Sequence, residues 1–250
     1  MKTKWLLVAL ASLLTHSGAS AEALKKVPGA LNPAKAYVLV EYKLRKNSMS
    51  GFPGSSKYIP LFEGLEFARY DPVLSDVRGL GKAISSPVPA KQQVVERFRN
   101  RHLVKGEASR LFLLEMEPDT WVIQGWGTTS FSLGSYAFRL DPGTVTDLGV
   151  VEADIDRPED YRPTKASDVV GAALLGPFAK RPDVAPMRLS FRPRSSGDLG
   201  VPAGLLQSKV RPVSFTPGAK FGNYLGGLVN RIEGVYASLK GEATAEAISD

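Results

Sequence analysis

Apolar residues occupy every second position through Ala36, Val38, Val40, Tyr42 and Leu44, the two-residue period of a β-strand. The alternate positions, Tyr37, Leu39, Glu41 and Lys43, pass from apolar to charged. This strand is therefore expected to start buried and end half-exposed. The same fade returns where Phe112, Leu114 and Met116 alternate with Leu111, Leu113, Glu115 and Glu117. Pro118-Asp119 then supplies a turn, and Thr120–Trp126 resumes as a strand rich in β-branched and aromatic residues. In the next run Phe131 and Leu133 are odd-numbered, whereas Tyr136, Phe138 and Leu140 are even-numbered. A regular strand would send one set to the wrong face, so a β-bulge is predicted at Gly134-Ser135. Asp141-Pro142-Gly143 forms the next turn and Thr144–Ala153 the next strand. Upstream, Leu61–Tyr70 reads as a strand broken by Gly64 and ended by Asp71-Pro72.

Lys91–Val104 fits two periods. As a helix, Val94, Val95, Phe98 and His102 share a face; as a strand, Val94, Phe98, His102 and Val104 lie opposite Arg97, Arg99 and Arg101. The β-rich surroundings favour a strand. Beyond Asp154 the pattern weakens. Ser167-Asp168 could cap a short helix over Val169–Leu175, Met187–Arg192 and Lys209–Phe215 read as strands, and Tyr224, Leu225, Leu228, Val229 and Ile232 have helical spacing within Asn223–Val235. Strands joined by short turns predict a mainly β protein, an antiparallel β-sandwich with a C-terminal extension containing one or two short helices. The expected organisation is a flexible leader over 22–35, the sandwich over 36–157, a C-terminal region over 158–240 packed on or extending it, and a mobile tail over 241–250.

The N-terminus changes the arithmetic. Lys2 and Lys4 precede a ten-residue apolar run, Trp5–Leu14, and Ala19-Ser20-Ala21 fits a small-residue cleavage site. Together these read as a secretory signal peptide cleaved after Ala21, with an apolar run too short to be a membrane span. Cleavage takes 21 of the 250 residues, lowers the formal charge from +7 to +5 by removing two lysines, and leaves His102 as the single histidine of the two. The chain contains no Cys, which excludes disulfides, thiolate metal sites, cysteine nucleophiles and an N-terminal lipidated Cys. Gly and Pro, 24 and 18 residues, exceed average usage and fit a turn-rich fold. No later segment is long and apolar enough to be a transmembrane helix, so a periplasmic or secreted location is expected.

Familiar chemistries lack their residues. There is no Gly-x-Ser-x-Gly elbow and no glycine-rich phosphate loop, and His102 reads as structural rather than as a catalytic base. No catalytic residues, cofactor or metal site are assigned. The acids Asp154, Asp156, Glu159 and Asp160 lack the glycine and terminal Glu of a calcium loop. Charge is organised in opposed blocks, −6 over 141–160 and +6 over 180–220. If the strands form, Arg97, Arg99 and Arg101 project in one row and Arg192 and Arg194 in another. Such guanidinium rows suit phosphate or carboxylate polymers, and an anionic envelope component is the partner they imply; export makes nucleic acid an unfit one. Trp126, between two glycines, is the candidate for stacking on carbohydrate, whereas Trp121 reads as core.

YVLVEY, FARYDP, DVRG, FLLEMEPDTWVIQG and FRLDPGTVTDLGVV, within Ala36–Asp154, resemble a bacterial domain of unknown function found in small secreted proteins and lipoproteins. RPVSFTPGAKFGNYLGGLVNRIEG is similar to a segment of secreted alphaproteobacterial proteins. The resemblance spans about two thirds of the exported chain. It implies an Ig-like or transthyretin-like sandwich in the cell envelope and carries no site residues; the lipoprotein cysteine of many relatives is missing here. The sequence reading is thus a non-enzymatic module, structural or binding an anionic envelope component. The alternative is a hydrolase built on a carboxylate pair.

Overall fold

The computed structural model describes residues 22–46, 51, 57–58, 64–86, 93–95, 101–156, 185–205 and 208–234. The expected signal peptide, the helix over Val169–Leu175, Arg97, Arg99, Glu159 and Asp160 lie outside them. The described chain is mainly β and packs two seven-stranded sheets together.

The first sheet is ordered β1 (Glu22–Leu24), β7 (Ser109–Met116), β2 (Ala36–Lys43), β10 (Val145–Ile155) and β11 (Met187–Arg192). β6 (Val104–Lys105) also pairs with β7, and β12 (Val210–Pro212) with the start of β10. The second is ordered β13 (Thr216–Ala219), β9 (Thr129–Arg139), β8 (Thr120–Trp126), β3 (Leu65–Asp71) and β4 (Asp76–Val77). β5 (Gln93–Val95) joins β3 and β14 (Leu228–Arg231) joins β9.

Both faces of the central strands are apolar because both are covered. Val38, Val40, Tyr42, Phe112 and Leu114 meet Phe67, Trp121, Ile123, Phe131 and Phe138 between the sheets. On the outer face of the first sheet Tyr37, Leu39, Leu111 and Leu113 are roofed by Leu31, Leu199, Val201 and Leu205. On the outer face of the second, Tyr70, Val77 and Val122 pack with Phe221 and Tyr224. The parity change in β9 takes the form of a slipped ladder. Ala137 pairs with Val122 and Ser130 with Gly125, so six β9 residues face two of β8. This irregularity lets Phe131, Phe138 and Leu140 share one core while Leu133 points out.

Several expectations need correction. The sheets are not purely antiparallel: β10 runs parallel to β2 and to β12, and β14 parallel to β9. Residues 22–35 are no loose leader, since β1 pairs with β7 and Leu24, Val27 and Leu31 pack on the first sheet. Asn223–Val235 does not form the expected helix over its described part. Gly226 and Gly227 take φ of 62° and 138° there, and Leu228–Arg231 pairs as a strand. One 3₁₀ turn, Ala203–Leu205, is the helical element of the described C-terminal region. Lys209–Phe215 is not one strand: β12 belongs to the first sheet and β13 to the second, with Val213–Phe215 crossing between them.

Candidate functional site

The crossing at Val213–Phe215 creates a cleft. It opens between the β10–β11–β12 edge of the first sheet and the β9–β13 edge of the second, with a volume of about 590 Å³, within the range of small-molecule sites. Its floor is aromatic. The rings of Tyr136 and Phe215 stack with centroids 4.8 Å apart, and Phe191 meets Phe215 edge-on at 5.3 Å. Leu148, Val213 and Pro217 complete the apolar lining. Pro212 can sit in β12 because that strand is at an edge, where a missing N–H leaves no ladder bond unmade.

The polar wall of the cleft is Asp147, Arg192 and Arg194, and it is saturated from within. Arg194, 10% exposed at its side chain, donates in a fork to Asp147 at 2.9 and 3.1 Å and to Glu41 Oε2 at 2.7 Å. It also donates to the carbonyl of Leu199 at 2.9 Å. Glu41 is wholly buried and accepts a further bond from the Leu199 N–H. Arg192 makes its own fork to Asp198 at 2.7 and 2.8 Å. Lys43 Nζ bridges Asp198 at 2.9 Å and Glu41 at 3.2 Å. The bonds from Arg192, then those from Lys43 and Ser195, hold the Asp198 carboxyl far below the ordinary carboxylate range. The fade from Leu39 to Glu41 and Lys43 along β2 thus marks a buried ion cluster and not an exposed strand end.

These contacts correct the arginine rows. Arg192 and Arg194 hold this chain's own carboxylates, the −6 and +6 blocks meeting through Arg194–Asp147 and Arg192–Glu152. Arg101 lies outside regular structure, half-exposed and 3.7 Å from Glu22. No single strand runs from Val94 to Val104, because β5 pairs in the second sheet and β6 in the first. Of that row, Arg97 and Arg99 lie outside the described residues, and Arg101 is not on a strand.

Trp126 is corrected too. It is 5% exposed, in the inter-sheet core, with its ring 5.4 Å from that of Tyr42. Trp121 is core as expected, its indole N–H donating to the Glu117 carbonyl. His102 packs edge-on to Phe112 at 6.4 Å; burial, then the charges of Arg110 and Lys105, push its pKa down, so the ring is neutral at pH 7. Of the acids after β10, Asp154 pairs with Arg45 at 2.7 Å and Asp156 accepts from Asn230 at 2.9 Å.

A second buried carboxylate serves packing. Asp76 accepts from the N–H groups of Val77, Lys82 and Gly222 and from the Tyr224 hydroxyl at 2.8 Å. Burial and then Asp76 itself push the Tyr224 phenol up to about 12. This staple holds the stretch after β13 against β4.

Sequence periodicity located Phe191 and Phe215 near strand ends but not their meeting, which depends on the chain changing sheets at Ser214. The residue-level signal for the crossing was the pair of prolines, Pro212 and Pro217, bracketing it. Among the described residues no helix is long and apolar enough to cross a membrane. Comparison of the chain with protein-family models, curated proteins and solved structures finds no match.

Proposed function

We propose that this chain is an exported, non-enzymatic module of the cell envelope, a β-sandwich of Ig-like or transthyretin-like type kin to the secreted proteins it resembles. It binds the apolar part of an envelope component in the cleft between its sheets. The observation that carries this reading is the composition of that cleft. An aromatic floor of Tyr136, Phe191 and Phe215 lies beside a wall whose arginines are already bonded within the chain. A wall so occupied offers little to a purely ionic ligand, whereas the ring faces and prolines offer dry apolar contact. A carboxylate-pair hydrolase finds less support. It needs an acid held protonated near neutral pH, and the acids gathered here, Glu41, Asp147 and Asp198, are each bonded to arginine.

Lipopolysaccharide, which joins acyl chains to anionic sugars, and heparin, which is anionic only, separate the two modes of recognition. The protein is expected to retain lipopolysaccharide at about 0.5 M salt, where the Debye length is well under 10 Å, and to release heparin. Phe215→Ala is expected to weaken lipopolysaccharide binding by about tenfold, the order of one lost aromatic contact. Neutralising Arg97, Arg99 and Arg101 together is expected to change little. Equal, salt-labile binding of both polymers, abolished by the arginine changes and indifferent to Phe215→Ala, would replace the cleft by a charged surface.

A further inference from the structure

Five large hydrophobic side chains are exposed among the described residues, and three of them lie on two turns that a side-chain hydrogen bond joins. Val73 and Leu74 crown the β3–β4 hairpin, 89% and 41% exposed, and Ile84, 72% exposed, follows the 3₁₀ turn Gly81–Ala83. Single exposed apolar residues are ordinary, but several on one fixed support mark a contact surface.

The support is fixed. Asp71 Oδ1 accepts from the N–H groups of both Val73 and Leu74, at 3.0 and 3.1 Å. Its other oxygen accepts from Ser86 Oγ at 2.9 Å, tying the hairpin to the segment carrying Ile84. The N–H groups of Gly79, Leu80, Ala83 and Ser86 donate to carbonyls within the same two turns. These bonds are all made within the chain, which lowers the cost of placing irregular backbone against a low-dielectric phase.

Charge selects the phase. Both carboxylates of the tip, Asp71 and Asp76, turn inward onto N–H groups. Lys82 is exposed at its edge and makes no ion pair among the described residues. The exposed apolar side chains thus have a cation beside them, the pattern of a segment that lies in a lipid interface with its cation on a headgroup phosphate. We propose that the Val73–Leu74–Ile84 tip docks on an anionic lipid surface, inserting these side chains between headgroups. This contact is separate from the cleft and independent of what the cleft holds.

The absence of cysteine allows a site-specific test on the full chain. A polarity-sensitive fluorophore is placed at Val73→Cys, and in a second sample at Ser196→Cys, an exposed position on the loop after β11. Vesicles of phosphatidylcholine alone and with phosphatidylglycerol are the probes. The label at 73 is expected to shift to the blue and be quenched by lipid-borne quencher, most on the anionic vesicles, while the label at 196 stays in water. Lys82→Glu with the label at 73 is expected to weaken binding to anionic vesicles by roughly fivefold or more, the worth of one cation near the surface. Ile84→Asp is expected to weaken it by about tenfold on either vesicle. An unchanged spectrum at 73 on both vesicles, or an equal response at 196, overturns the proposal; because the readout is local, the apolar run near the N-terminus cannot imitate it.

Discussion

Arg194 shows what a residue can be mistaken for when its neighbours are unknown. In the sequence it is one of eight cations between 180 and 220; in the fold its guanidinium is nearly closed off and shared between Asp147 and Glu41. Such a cluster is asymmetric in energy: removing one member leaves another charge buried and unpaired, a loss of about 3–5 kcal/mol. Trp126 stands between Gly125 and Gly127, which carry no bulk. The same lack of bulk lets the strand sit close to its neighbours, and the ring lies against Tyr42 in the core. Asp198 has a folded pKa held below its unfolded value, near 3.9, so its contribution to stability is complete above that value and is lost as pH falls below it. Asp198→Asn is expected to be less stable than the parent at pH 7 and to lose less stability between about pH 5 and pH 2. Urea midpoints across that range measure it; parallel acid limbs in the two proteins would count against this account.

At the scale of elements, the sequence was most legible where one face of a strand is apolar throughout. The even positions of β2, and Phe112, Leu114 and Met116 of β7, are core as their alternation required, and the parity break in β9 does coincide with a slipped ladder. It was least legible where local pattern and tertiary demand diverge. The helical spacing over Asn223–Val235 is real, but Gly226 and Gly227 interrupt it, and β9 offers an open edge that Leu228–Arg231 fills. A second irregularity lies in β10. Between Asp147 and Val150 the register of β10 on β2 shifts by one, and Gly149 there has φ of 78°. A Cβ at Gly149 would collide with the Arg192 carbonyl oxygen. Gly149→Ala combines that collision with a left-handed backbone, and should cost roughly 2–4 kcal/mol in urea unfolding. A change within about 0.5 kcal/mol, the spread of ordinary surface substitutions, would show that the bulge relaxes freely.

For the whole molecule, the C-terminal strands are structural members of both sheets. β11 completes the first, β13 and β14 complete the second, and Leu189 and Ile232 lie in the central core. β11 and the residues around β14 tie the two layers together: Glu233 N–H donates to Leu189 O, Met187 N–H to Thr129 Oγ1, and Asn230 Nδ2 to Met187 O. A chain ending before Pro186 loses these contacts together with the partner of buried Glu41. It is expected to unfold without a cooperative transition and to bind an apolar dye, whereas the full chain unfolds in one step. A sharp transition in the shortened chain, seen by circular dichroism, would make residues 22–156 a self-sufficient unit.

The sequence alone shows a cysteine-free β protein, roughly where its longer strands lie, and which of their faces are apolar. Those features are local, because alternation, turn residues and side-chain branching act within a few positions of the backbone. The tertiary structure alone decided which strands run parallel, which arginines are free, where Trp126 goes and that Phe191, Phe215 and Tyr136 meet in one cleft. Each of these depends on pairing between segments tens of residues apart, and a charge or a ring has no fixed meaning until the partner that neutralises or buries it is in place.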